Sequence, residues 1–231
     1  MSSSVFRSEQ GRLAIQDYSR KVLASSECPL RQHDVPTSCG LTHVLEAGPP
    51  DGAPLVILHG TSTNAASWLG DLPVWGQSYR VLAVDMPGEP GLSADHRLGL
   101  SNGDVEQWLV DLLDAMGLER VSLVGMSLGG LVALRFAAHQ PERVQALCLI
   151  APAGLAPQRL SFPVKALPLT LLGDWGFRRI NRMVWYDVEI PEVMLEFRST
   201  RTILDYDHRH GHRARQRRDR PGETDDDGNG G

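Results

Sequence analysis

Four short apolar runs, each ending in a turn and divided from the next by polar or helical stretches, constrain the fold of this chain most. They are Leu55-Val-Ile-Leu-His59 before Gly60, Arg80-Val-Leu-Ala-Val-Asp85 before Pro87-Gly88, Val121-Ser-Leu-Val-Gly125, and Val144-Gln-Ala-Leu-Cys-Leu-Ile150. An earlier run, Thr42–Gly48, leads into a Pro-Pro-Asp-Gly turn. Such runs are apolar on both faces of a strand, so both faces must be covered. Helical spacing recurs between them. Val105, Trp108, Leu109, Leu112, Leu113 and Met116 form one stripe over Asp104–Met116, with Gly117 as a stop, and a second helix is expected over Leu131–His139. Strands alternating with helices predict an α/β class: a mostly parallel sheet flanked by helices.

Composition narrows the classes further. The 231 residues are 42% hydrophobic and 22% charged, which suits one α/β domain with a sizeable core. A net charge of −5 argues against a nucleic-acid partner. No window approaches ~20 uninterrupted apolar residues, so no membrane span is expected. The first residues, Met1 to Ile15, lack the apolar core of a secretory signal, and Cys28, Cys39 and Cys148 are widely spaced. Reduced thiols and a cytoplasmic location are the expectation.

The chain divides unevenly. Residues 1–34 read as an N-terminal helix (Phe6 to Leu23) with a lead-in, and residues 35–154 as the α/β core. Residues 155–205, rich in Leu, Pro, Trp and Arg, read as a helical cap, with a membrane-surface segment as the alternative. Residues 206–231 read as a disordered polar tail: from 207 onward Ala214 is the one apolar side chain.

Chemistry concentrates at Gly125-Met-Ser-Leu-Gly129-Gly130. An apolar strand runs into this stretch and a helix runs out, and Gly125 and Gly129 permit a tight turn that lifts Ser127 Oγ from the sheet's C-terminal edge. The plainer alternative is a serine that caps a helix. A second motif, His59-Gly60-Thr61-Ser62, also follows an apolar strand. Gly60 is expected to let the chain turn sharply, so that the Thr61 N–H joins the Leu128 N–H in binding a developing oxyanion. His59 reads as a residue that packs this loop and not as a catalytic base.

With the Asp85-Met-Pro-Gly-Glu-Pro-Gly-Leu-Ser93 turn, these motifs resemble the α/β-hydrolase family, specifically its cap-bearing serine hydrolases of the esterase and lipase type. The turn matches the family's D-x-P-G-x-G-x-S pattern with one residue inserted. The resemblance implies a hydrolase of an ester or related acyl small molecule, with Ser127 as nucleophile, Thr61 and Leu128 as oxyanion donors, and no metal or organic cofactor. It also implies an acid and then a histidine after the nucleophile. Neither is assigned. His139 lies ~18 Å along the elbow helix, and His208, His210 and His212 sit in the polar tail without a strand to place them.

The change of character near Thr202–Tyr206 is expected from a frameshifted or truncated gene lacking its last strands. A truncated C-terminal sheet edge, impaired catalysis and poor solubility would follow. The alternative is a non-catalytic, hydrolase-like protein that binds a small ligand or a partner. Weak metal binding by the tail histidines has no fixed geometry behind it. A dinucleotide-binding reading fails on the spacing of the glycines. Phe162, Leu167, Leu169, Leu171, Leu172, Trp175, Phe177 and Trp185 would either line an apolar pocket or form plain cap core.

Overall fold

A computed structural model describes residues 5–6, 8–100 and 103–155, with a few short pieces between 167 and 180. Most of the expected cap, the polar tail with its three histidines and the change near Thr202 lie outside the described residues.

Six strands form one sheet: β1 (Arg31–Thr37), β2 (Gly40–Ala47), β3 (Ala53–Leu58), β4 (Tyr79–Val84), β5 (Val121–Met126) and β6 (Val144–Ile150). Their spatial order is β1-β2-β4-β3-β5-β6. The first two joins are antiparallel and the other three parallel. Helices α1 (Glu9–Ala24), α2 (Leu72–Trp75), α3 (Asp104–Ala115) and α4 (Leu128–His139) complete the described elements, with 3-10 turns at Ala65–Trp68 and Pro141–Arg143.

The alternation of side chains along each strand builds two cores. Val56 and Leu58 of β3, with Leu82 and Val84 of β4, face α3 and α4, where they meet Trp108, Leu109, Leu112, Leu113 and Phe136. Leu55 and Ile57, with Val81 and Ala83, face the opposite layer of Leu23, Ala65, Trp68 and Leu72. Both faces are therefore covered, which is why these strands carry no polar face. Trp108 is fully buried, and its Nε1–H donates to Thr42 Oγ1 at 2.8 Å, tying α3 to β2. The Ser8 side chain caps α1 by accepting the Gly11 N–H at 3.0 Å.

Chain order sets the site. The strand after β3 lies on one side of it and β5 lies on the other. This reversal opens a crevice at the C-terminal ends of β3 and β5, the usual ligand position in open α/β sheets.

Several boundaries differ from the sequence reading. Strand β1 was not expected, because Arg31-Gln-His-Asp-Val-Pro-Thr37 buries only Val35. It pairs with β2 through a tight hairpin whose Gly40 has φ +95°, so the lead-in boundary at residue 34 falls inside a strand. Helix α4 starts at Leu128, three residues before the expected Leu131. Strand β6 is where it was expected, and it pairs only with β5 among the described residues; Ala146, Cys148 and Ile150 on it are exposed.

One buried charge joins the hairpin to the sheet. Glu46 of β2 accepts from Arg31 of β1 at 2.8 Å and from Arg80 of β4 at 3.0 Å, and His33 Nε2 lies 2.7 Å from its other oxygen. Burial pushes its pKa up, but the hydrogen bonds and charges of Arg80 and Arg31 outweigh that and hold it at about 2. A depressed carboxylate stabilises the fold above its unfolded value of 4.5, and that contribution is lost as pH falls toward 2. Glu46→Gln is expected to destabilise by ~2 kcal/mol near pH 7, less than for a fully buried pair because Arg31 reaches water. Urea titrations from pH 7 to pH 2 should show the gap between the two proteins closing from pH 4.5 downward, as Glu46 takes up a proton in the unfolded chain, and gone near pH 2, where folded Glu46 is protonated too.

Candidate active site

Ser127 occupies the junction of β5 and α4 with φ +52° and ψ −109°, a backbone conformation that L residues rarely adopt. Its N–H donates to the Ile150 carbonyl at 3.0 Å, and its own carbonyl accepts from Leu131 at 3.1 Å and from Ala153 at 2.8 Å. The turn is thus fastened both to its own helix and to the segment leaving β6. The Ser127 side chain makes no capping hydrogen bond. The helix-cap reading is therefore excluded, and Oγ remains half-buried with no hydrogen-bond partner among the described residues.

The glycines around it are packing requirements. A methyl on Gly125 would come within 2.7 Å of the Gly130 Cα, and one on Gly129 within 2.6 Å of the His59 carbonyl oxygen. The approach brings the Gly129 N–H to His59 O at 3.1 Å, which joins the start of α4 to the end of β3.

The loop after β3 differs from expectation in one respect. Gly60 has no unusual φ, and a methyl placed on it would meet Ser127 Cβ at an ordinary 3.6 Å. The left-handed residue is Ser62, at φ +61°. The turn therefore belongs to Ser62, and Gly60 lies beside Ser127 with room for a methyl group.

His59 is completely buried, and both its ring nitrogens are engaged. Nδ1–H donates to the Gly60 carbonyl at 2.8 Å, and Nε2 accepts the Met86 N–H at 3.0 Å. Burial pushes its pKa down, against the pull of the Asp85 charge and the Gly60 carbonyl. A neutral imidazole committed on both sides holds a loop and has no free nitrogen to take a proton. Thr63 Oγ1–H donates to the same Gly60 carbonyl at 2.8 Å. Because a trans peptide points its C=O and N–H in opposite directions, fixing the Gly60 carbonyl also fixes the Thr61 N–H. No hydrogen bond to a described residue occupies the N–H of Thr61 or of Leu128. Leu128 begins α4, where the helix dipole favours negative charge.

A second group of residues, which sequence reasoning missed, braces this loop. Asp85, buried at the end of β4, accepts the Ala65 N–H at 2.5 Å and the Leu92 N–H at 2.8 Å, while its carbonyl accepts Ser93 Oγ–H at 2.6 Å. Gly91 is needed there because a methyl would lie 2.6 Å from Asp85 Oδ2. The Asn64 amide donates to Ser19 of α1 and to the Pro90 carbonyl, both at 3.0 Å. Glu89 accepts the Ser62 N–H at 2.6 Å. The Asp85–Ser93 motif signalled a turn here, but no local pattern signalled these long-range partners.

The remaining candidates stand apart. His139 ends α4, its Nδ1–H donates to the Arg135 carbonyl at 2.9 Å, and its side chain is well exposed. Of the expected pocket residues, Leu167, Leu172 and Trp175 are exposed, and most of the others lie outside the described residues. Among the described residues no three His, Cys, Asp or Glu side chains are grouped to hold a metal ion, and no helix is long and apolar enough to cross a membrane.

A sequence profile described as the alpha/beta hydrolase fold matches residues 53–176, just over half of the chain. The chain belongs to the α/β-hydrolase fold family. It is 36% identical over 119 residues to a Bacillus subtilis protein named "Uncharacterized carboxylesterase nap", a match covering 52% of this chain and 40% of that one. It is 32% identical over 172 residues to a 2-hydroxy-6-oxo-6-phenylhexa-2,4-dienoate hydrolase of Comamonas testosteroni, covering 68% and 58%. Among solved structures, the naproxen esterase of Bacillus subtilis superposes with a TM-score of 0.75 at 28% identity, over 87% of this chain and 70% of that one. The sequence matches to the two curated Bacillus subtilis carboxylesterases each span about two-fifths of those proteins' length.

Gly129 at the start of α4 and Gly60 in the loop after β3 should respond differently to substitution. Gly129→Ala is expected to lose ~3 kcal/mol, since backbone and not a flexible side chain must give way. Gly60→Ala should stay within ~0.5 kcal/mol of the parent. Urea midpoints of the two variants decide this; equal losses would show that the Gly60 site is tighter than described.

Proposed function

We propose that this chain carries the nucleophile and oxyanion site of a serine hydrolase acting on an ester or related acyl small molecule. The observation that carries the reading is Ser127 itself: a serine in a left-handed conformation between strand and helix, with Oγ free of any capping bond and the Gly60 loop against it. In the proposed reaction, Oγ attacks the acyl carbon and loses its proton, and the carbonyl oxygen becomes an oxyanion. The Thr61 and Leu128 N–H groups would receive that charge. Collapse expels the alcohol, which takes up a proton, and water then releases the acid from the acyl-serine. The names of the relatives, carboxylesterases among them, support an ester substrate.

The acid and base are not assigned. His59 has both nitrogens committed, and His139 lies at the far end of α4, ~18 Å along the helix. The same observation favours the second reading, a hydrolase-like binder of a small ligand or partner. Without a placed base, turnover would be limited to what the oxyanion site and binding supply, ~10³–10⁴ over water in well-studied triads.

Hydrolysis of a short-chain p-nitrophenyl ester by the chain and by Ser127→Ala tests the reading, with circular dichroism confirming that both are folded. The expected result is turnover that falls at least ~10²-fold on substitution. Equal rates from two folded proteins would overturn the hydrolase reading and favour the binder.

A further inference from the structure

Ser62 carries a positive φ without being glycine, at a cost of ~1 kcal/mol or more, so something must hold it there. The group that does so is Glu89, one of the two residues between Gly88 and Gly91. Its Oε2 accepts the Ser62 N–H at 2.6 Å, and both residues are buried. A bond from a backbone amide to a carboxylate is short and about twice as strong as one between neutral groups.

The position of this bond gives it a consequence. Thr61 lies between two peptide planes. The first, Gly60–Thr61, is oriented through the Gly60 carbonyl by His59 Nδ1–H and Thr63 Oγ1–H. The second, Thr61–Ser62, is oriented through the Ser62 N–H by Glu89. With both planes fixed, the backbone dihedrals of Thr61 are determined and its unoccupied N–H has one direction. The Thr61 N–H lies in the first plane, so the second acts on it by holding the other end of Thr61, which stops the first plane from swinging about its anchored carbonyl oxygen.

We propose that Glu89 is a positioning residue of this site: its carboxylate oxygen fixes the Thr61–Ser62 peptide and so keeps the neighbouring Gly60–Thr61 peptide, and with it the Thr61 N–H, from swinging about the anchored Gly60 carbonyl. The inference rests on the reading of Ser127 as nucleophile. What it requires of residue 89 is an acceptor oxygen at the right reach, not a charge. Glutamine supplies that oxygen at the same reach, whereas aspartate keeps the charge but stops one methylene short.

The test uses the full chain with Glu89→Gln, Glu89→Asp and Glu89→Leu, each compared with the parent and with Ser127→Ala. With a p-nitrophenyl ester, Glu89→Asp and Glu89→Leu should lower kcat by ~10²-fold, the usual effect of losing one oxyanion donor, while KM changes little. Glu89→Gln should restore kcat to near the parent value. A general loss of stability would not separate Gln from Asp in this way, and thermal midpoints measured alongside identify any variant that fails to fold. Parent-like kcat in the Asp and Leu variants, or a Gln variant as impaired as Leu, overturns the proposal.

If the parent shows no Ser127-dependent turnover, the nucleophile reading fails by itself. Hydrogen exchange of the Ser62 amide then decides the clamp. Slow exchange in the parent and Glu89→Gln, with exchange at least ~10-fold faster in Glu89→Asp and Glu89→Leu, supports it. Uniform exchange across the four proteins refutes it.

Discussion

The Gly129 amide reaches the His59 carbonyl at 3.1 Å because no side chain intervenes at positions 125 and 129. That contact joins the start of α4 to the end of β3, and most of what is distinctive about the molecule follows from it. It fixes the strand-to-helix angle, which forces Ser127 into its left-handed conformation. It also brings the loop after β3 alongside that serine, so Ser127 and the candidate oxyanion donors share one rigid frame. Any Cβ at these positions would push helix and strand apart, and the two halves of the site would separate.

Around this frame the buried polar groups are disposed by purpose. Asp85, Glu89, Asn64 and His59 each hydrogen-bond backbone groups of the two loops at the C-terminal ends of β3 and β4, and Asn64 also reaches the Ser19 side chain of α1. They replace the regular ladder that the backbone loses when a strand ends, so loops that must adopt unusual shapes leave few amides unsatisfied. Glu46 works differently. It lies within the sheet, and its two arginine partners bind three strands through their side chains.

How much of this was legible depended on whether a feature leaves a local trace. Strands β2 to β6 and helices α3 and α4 did, because burial on both faces or on one stripe repeats within a few residues. The elbow did too, since Gly125, Ser127 and Gly129 encode their geometry in their spacing. Strand β1 left no such trace: it is polar and takes its shape from pairing with β2. Gly60 was misjudged because a glycine beside a histidine after a strand suggests a turn, whereas the strained residue is Ser62. Glu89 and Asn64 were silent because their partners lie 27 and 45 residues away, brought close by the crossover between β3 and β4 and by the packing of α1.

The two outer strands of the described sheet differ in chemistry. Strand β1 is polar, contains Pro36 and presents little for another chain to join, whereas β6 is largely apolar and leaves Ile150 40% exposed. During synthesis the chain is made from its N-terminus, so the inert border is completed first and the adhesive one last. The apolar margin at Ile150 therefore appears only after the other five described strands have been made.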